Sequence, residues 1–190
     1  MEKKDLGLRF GVVTLFVLIA AFSRLLPHPQ NFAPISAMAL FSAAYYNRKY
    51  FAFLMPILAM FLCDIVLNNV IYAGFYDKFV LFYPGAIYTY LSFIVIALVG
   101  FVLLKKVSVG RVIVSSLLAS VIFFLISNFG TWASGLMPYT KDFSGLMTCY
   151  AAGIPFFKNT LMGDLFYCGV MFGIYELVKS KVPALKSSVI

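Results

Sequence analysis

Few residues of this chain can carry a charge. Only 12% of the 190 residues are Asp, Glu, Lys or Arg, and the acidic ones number seven. The hydrophobic fraction is 63% and the mean hydropathy is +0.96, which is more apolar surface than a soluble domain of this size can bury. The composition therefore indicates an integral membrane protein, and its length suits a single domain over residues 1–190.

Histidine and the common catalytic motifs are also scarce. The chain has one histidine, His28, so no spacing resembles a closed zinc site. It has no Gly-rich phosphate loop, no His-Glu-x-x-His sequence and no nucleophile elbow. We therefore expect neither an enzyme nor a bound cofactor. In the alternative that the protein is a membrane enzyme, His28 with Asp64 or Asp164 is the candidate acid–base pair.

The three cysteines leave two alternatives open. Cys168 lies in the middle of an apolar run, where a cysteine behaves as a small apolar residue. Cys63 and Cys149 fall towards the same side of the membrane, which allows a disulfide between them. In the other alternative Cys63 is a thiolate ligand of a soft metal centre, such as the cobalt of a corrinoid.

What the chain does contain is a series of apolar runs, and we predict an all-α bundle of six transmembrane helices. A spanning helix needs about 20 residues, so the second run is short for a span. Residues 143–154 are apolar but too few to cross, and we expect them to lie along the interface or to dip back into the protein. The predicted spans cover residues 8–26, 34–46, 50–68, 83–104, 111–129 and 157–178.

Basic residues orient these spans. Eleven of the 15 Lys and Arg residues fall on the side that holds both termini, and the positive-inside rule places that side in the cytoplasm. Contact with anionic lipid accounts for the net charge of +8. We expect no nucleic-acid partner.

Four ionisable residues of the spans fall towards the opposite side: Arg24, Asp64, Lys158 and Asp164. Each costs about 2.5–3.5 kcal/mol on insertion scales, so such residues pair or mark a substrate path. One alternative is structural, with Arg24 and Lys158 paired to Asp64 and Asp164. The other is a polar pocket that opens on the outer face, and the two are compatible.

The connection after the first span is rich in proline. Pro27, Pro29 and Pro34 stop the helix and hold the chain extended, so residues 27–34 form a candidate lid. The cations and amides would fix polar groups of a ligand, the carboxylates would orient them or bind directly, and Trp132 would supply a flat wall. The predicted substrate-binding residues are Arg24, His28, Asn31, Asp64, Asn128, Trp132, Lys158, Asn159 and Asp164.

Residues 24–37, 56–64, 123–132 and 154–164 resemble an uncharacterised family of bacterial membrane proteins described as transporters. That family is similar to the substrate-binding S components of energy-coupling-factor vitamin transporters. The resemblance implies a six-helix bundle with a vitamin pocket at the outer face, lidded by the loop after span one. It also implies docking on a transmembrane coupling subunit driven by two ATPases, which this chain needs in trans because it lacks a Walker motif.

One departure concerns that docking. S components carry an Ala-x-x-x-Ala face on the first helix, whereas this chain offers only Gly7 and Gly11. A solitary transporter is therefore the alternative, and solitary cobalamin-transporting relatives use a cysteine on cobalt, the role Cys63 would have. The sequence predicts uptake of a vitamin or related micronutrient across the bacterial inner membrane, cobalamin being one candidate. The alternative is a membrane enzyme or an assembly factor.

Overall fold

The computed structural model describes residues 3–135 and 137–185, and this part of the chain forms six α-helices. Five of them are long and apolar enough to cross a membrane, whereas α2 is shorter. The prediction of an all-α protein with several membrane-length helices is thereby confirmed. The helices are α1 (Lys3–Ser23), α2 (Ile35–Tyr45), α3 (Lys49–Val66), α4 (Ala86–Leu103), α5 (Val109–Ser134) and α6 (Phe143–Lys181).

Helix α2 lies at the centre of the bundle and packs against each of the other five α-helices. Its residues from Ile35 to Ser42 are all buried. Small side chains allow this close approach: a methyl group added at Gly100 of α4 would lie 2.7 Å from Ala43 Cβ. Eleven residues extend for only about 16 Å, roughly half of the hydrocarbon depth of about 30 Å. Helix α2 therefore fills the centre of the bundle over only part of its length.

Aromatic rings close the centre at the carboxyl end of α2. The ring centroids of Tyr45 and Tyr175 are 4.1 Å apart, and Phe41 packs edge-on against both Phe172 and Tyr175. The Tyr45 hydroxyl donates a hydrogen bond of 2.7 Å to Glu176. A hydrogen-bonded pair, Tyr45 with Glu176, therefore lies beside the packed rings at this end.

Helix α6 corrects one sequence prediction. Residues 143–154 do not form a separate or re-entrant segment; they form the first turns of a single helix of 39 residues that passes through Pro155. Packing on α5 outweighs the hydrogen bond that the proline removes, since the Tyr150 hydroxyl donates to the Leu125 carbonyl at 2.8 Å. The helix starts at Asp142, whose carboxylate accepts from the Gly145 N–H at 2.7 Å. This bond and one from the Thr140 hydroxyl hold the pKa of Asp142 below its ordinary value.

Two connections meet at the other end of α2, which we call the cavity end because of the cavity described below. One is the loop of residues 27–34, in which Asn31 has a φ of 63°. The other joins α3 to α4 and begins with a wide helical turn, Leu67–Ile71. The Asn69 side chain accepts from the Val80 N–H at 2.7 Å and donates to the Val80 carbonyl at 2.8 Å. These bonds fix the second connection above the bundle.

Candidate functional site

A cavity of about 330 Å³ lies at the cavity end, where the centre of the bundle is not filled by α2. Its walls come from both connections, from the first turns of α2 and α4, and from α5 and α6. Most of the lining is polar, although the chain as a whole is strongly apolar. The lining residues are Arg24, His28, Asn31, Ala33, Ile35, Ser36, Leu67, Tyr72, Tyr83, Thr89, Phe123, Ser127, Asn128, Thr131, Thr160 and Asp164.

Most lining residues of α5 and α6 follow one another at intervals of four, and Asn128 adjoins the α5 series. Phe123, Ser127 and Thr131 follow one another along α5, as Thr160 and Asp164 do along α6. Residues four apart lie on the same face of a helix, so each helix turns one polar stripe towards the cavity. These stripes place hydroxyl groups at several depths along the wall.

The first charged group of the cavity is already neutralised. Arg24 Nη1 lies 2.7 Å from Asp64 Oδ1, and the two side chains are only 12% and 4% exposed. The Tyr90 hydroxyl donates to the other oxygen of Asp64 at 2.9 Å. Arg24 lines the cavity while Asp64 stands behind it. Of the two ion pairs predicted as a structural alternative, this one is present.

The second charged group, Asp164, has a different environment. It is 1% exposed, lines the cavity and accepts a hydrogen bond of 2.6 Å from the Ser120 hydroxyl of α5. The Ser36 hydroxyl in the first turn of α2 is a further hydrogen-bond partner. Among the described residues, no Lys, Arg or His forms an ion pair with Asp164.

The predicted pairing of Lys158 with Asp164 is therefore wrong. The two residues are six positions apart on α6, which places them about 120° apart around the helix. Lys158 is exposed, whereas Asp164 faces inwards. Two residues near the same end of a helix need not lie on the same face of it.

The loop of residues 27–34 forms one wall and is held against α6. The Asn159 amide donates to the Gln30 carbonyl at 2.9 Å. One turn further on, a methyl group added at Gly163 would lie 3.1 Å from Phe32 Cα and 3.2 Å from the Ala33 nitrogen. The loop backbone therefore rests directly on the glycine that precedes Asp164.

Comparison with known proteins gives a family and nothing further. A family model described as a family of unknown function, DUF6580, matches residues 4–185. The chain belongs to the DUF6580 family. No curated protein and no solved structure matches it.

The structure distributes the nine predicted site residues of this DUF6580 protein over two groups. Arg24, His28, Asn31, Asn128 and Asp164 line the cavity. The remaining four, Asp64, Trp132, Lys158 and Asn159, do not line it. Asp64 pairs with the lining residue Arg24, and Asn159 donates to Gln30, which adjoins the lining residue Asn31.

Trp132 is not the flat wall that the sequence suggested. Its indole N–H donates to the Thr140 carbonyl at 2.8 Å, and the Lys141 ammonium lies 5.3 Å from its ring centroid. The preceding residue, Thr131, lines the cavity instead. Thr131 was missed in the sequence analysis. The pattern that could have indicated it is the four-residue spacing of two hydroxyl residues, Ser127 and Thr131, in an apolar helix.

None of the three cysteines of this DUF6580 protein is among the residues that line the cavity. Cys63 is fully buried, its thiol contacts the Ala21 carbonyl at 3.1 Å, and it is not a lining residue. Cys63 and Cys149 are both free, so the disulfide considered from the sequence is absent. Within the described ranges no group of three His, Cys, Asp or Glu side chains is arranged to hold a metal ion.

Proposed function

We propose that this DUF6580 protein is a substrate-binding membrane transport protein that takes up a vitamin or related micronutrient. The observation that carries the proposal is the polar cavity of about 330 Å³ at one end of an apolar bundle. Polar groups are expensive to keep inside a membrane, and small-molecule sites have volumes of about 300–1,000 Å³. A binding site explains why the polar stripes of α5 and α6 face the same cavity.

The direction of uptake follows from the basic residues. If the lysine-rich side is cytoplasmic, as the positive-inside rule predicts, both termini lie in the cytoplasm and the cavity opens outwards. In a bacterial inner membrane the substrate then enters from the periplasm, and the loop of residues 27–34 is the lid over it. Contacts with anionic lipid fall at the opposite, cytoplasmic end.

The cavity volume narrows the choice of vitamin. A corrinoid is several times larger than about 330 Å³, and Cys63, the candidate cobalt ligand, is buried behind Arg24 and Asp64 rather than on the wall. A vitamin built on one or two small rings suits this volume. We therefore propose a substrate much smaller than cobalamin.

The energy source has two candidates. An ATPase-driven cycle requires a transmembrane coupling subunit with its ATPases in trans. Helix α1 leaves Gly7 and Gly11 open, since a methyl group at either position would meet no atom within 4 Å, and small residues at this spacing suit contact with another helix. A solitary transporter needs no such contact.

The enzyme alternative is less well supported by the geometry. His28 is exposed, and its Nδ1 is 2.9 Å from the carbonyl of its own neighbour, Pro29. Asp64 is held by Arg24 and Tyr90, and Asp164 by Ser120. Neither carboxylate forms an ion pair with the histidine in the described part of the chain, so the acid–base pair of an enzyme is not assembled.

The test uses two isosteric substitutions on one helix. Thr160 of α6 lines the cavity, whereas Thr148 of the same helix is exposed and outside it. The wild type, Thr160→Val and Thr148→Val are purified in mild detergent from the native host, and co-purified small molecules are identified by mass spectrometry. We expect a stoichiometric vitamin-like molecule in the wild type and in Thr148→Val. In Thr160→Val we expect the amount of co-purified molecule to fall at least about tenfold, because a buried hydroxyl partner is removed.

The contrary result is also clear. Wild-type protein that carries no small molecule in repeated preparations, together with no thermal shift from a vitamin panel, would contradict the transport proposal. An enzyme or an assembly factor would then be the better-supported function.

A further inference from the structure

The charges around the cavity do not balance, and this bears on the substrate. On one side, Arg24 is neutralised by Asp64 at 2.7 Å. On the other, Asp164 brings a negative charge to the wall and forms no ion pair with any described residue. Lys158, the basic residue nearest to it in sequence, is exposed. The wall therefore carries one carboxylate that the fold leaves without a counter-charge.

Hydrogen bonds stabilise Asp164 without neutralising it. Ser120 donates at 2.6 Å and Ser36 is a second partner, but a hydroxyl supplies only a dipole. Ser36 lies in the first turn of α2, and a helix amino terminus adds about half of a positive charge. A carboxylate that is 1% exposed inside a membrane protein either takes up a proton or pairs with an opposite charge, and the second state needs a cation from the substrate.

The rest of the lining suits a cation on a small ring or a quaternary nitrogen. Three aromatic rings, Tyr72, Tyr83 and Phe123, border the same cavity. Aromatic faces attract cations, most strongly where water is excluded. The Tyr83 hydroxyl is engaged with Thr89 at 2.9 Å, which holds that ring in place.

From these observations we infer that the substrate carries one positive charge, as a protonated amine or a quaternary nitrogen, seated against Asp164. This inference rests on the proposed function, because it concerns the substrate of the same cavity. The complete site is then neutral: Arg24 with Asp64 on one side, and the substrate with Asp164 on the other.

The experiment compares molecules that differ only in charge. Two matched pairs serve as probes: choline with 3,3-dimethylbutan-1-ol, and pyridoxamine with pyridoxine. Binding of each to full-length detergent-solubilised protein is measured by thermal shift and calorimetry in potassium chloride. We expect the cationic member of at least one pair to bind about thirtyfold more tightly than its neutral partner, because a desolvated charge pair loses about this much when one partner is removed.

Two substitutions locate the effect. Asp164→Asn should abolish the preference and leave both members of a pair equally weak. Asp142→Asn removes a negative charge from an exposed helix cap outside the cavity and should keep the preference, since asparagine also caps a helix. A preference that survives in Asp164→Asn, or equal binding of both members to the wild type, overturns the inference. Equal binding of both members to the wild type is also the result expected if Asp164 is protonated and neutral.

The remaining outcomes separate this inference from the proposed function. A sodium-dependent thermal shift that Asp164→Asn loses would assign the carboxylate to an inorganic cation and overturn the inference. If no probe binds, the charge of the co-purified molecule decides: a cation supports the inference, and a neutral or anionic molecule overturns it while the transport proposal stands. If nothing co-purifies either, the transport proposal fails and the inference fails with it.

Discussion

On one side of the cavity Asp64 is 3% exposed and pairs with Arg24, whereas on the other side Asp164 is 1% exposed and bonds to the hydroxyl groups of Ser120 and Ser36. The residue type and the burial are the same on both sides. What differs is the source of the opposite charge, which on the first side is a cation of the protein itself. The comparison shows that burial alone does not give a carboxylate a structural role. Whether it has a cation of the protein as its partner decides between a structural role and a role in binding.

The aromatic end of the bundle supports this distinction. There Glu176 accepts from the Tyr45 hydroxyl and pairs with Lys179 at 3.0 Å, so its charge is also balanced within the chain. Aromatic rings pack against one another at this end. Of the three carboxylates compared, only Asp164 combines deep burial, a cavity wall and no internal ion pair in the described residues.

The largest expected effect comes from making one substitution on each side of the cavity. Asp64→Asn leaves the Arg24 guanidinium buried without its counter-ion, and we expect it to lower the free energy of unfolding by about 3 kcal/mol. Asp164→Asn keeps an acceptor for Ser120 and removes a charge that had no ion pair, so we expect a change of less than about 1 kcal/mol. Both are measured by denaturant titration in detergent. Equal losses in the two variants would mean that Asp164 has a counter-ion within the protein.

Much of the fold followed from the sequence because hydrophobic length is a strong signal. The apolar runs predicted all five membrane-length helices, and the pairing of Arg24 with a carboxylate followed from the cost of burying each alone. Residues 143–154 were misjudged because, as a separate apolar segment, they are too short to cross the membrane. Contacts with α5, such as Tyr150 to Leu125, keep that segment helical, and a linear sequence does not display them.

The site was less predictable, since the rotational position of each helix is a tertiary property. Neighbouring residues differ by about 100° around a helix, and for this reason Thr131 lines the cavity while Trp132 does not. Hydroxyl residues such as Ser36 and Ser120 carry a weak signal because they also occur where helices merely pack closely. The loop residues His28 and Asn31 were found because three prolines marked their segment.

The second prediction concerns the contact between the lid, residues 27–34, and α6, and its expected effect on stability is smaller. Gly163 precedes Asp164, and an added methyl group would meet the Phe32 backbone at 3.1 Å. We expect Gly163→Ala to cost about 1–3 kcal/mol, as overpacked sites do, and to speed hydrogen exchange in residues 27–34. Gly169→Ala on the same helix meets no atom within 4 Å, so it should be neutral or gain up to about 1 kcal/mol from helix propensity.

Hydrogen exchange gives this prediction its contrary outcome. If Gly163→Ala leaves the exchange of residues 27–34 unchanged, the loop does not depend on its contact with α6. The wall that carries Asp164 would then be independent of the lid.

The smallest effects are expected at two adjacent residues of α6, and they test whether Asp164 truly lacks a cation. Lys158 is exposed and pairs with no carboxylate of the described residues, so Lys158→Met should change stability by less than about 0.5 kcal/mol. Asn159→Ala removes the hydrogen bond to the Gln30 carbonyl and should cost about 1 kcal/mol. Thermal unfolding in one detergent ranks the two. A larger loss for Lys158→Met would show that its ammonium reaches a carboxylate in solution, and the two sides of the cavity would then be balanced in the same way.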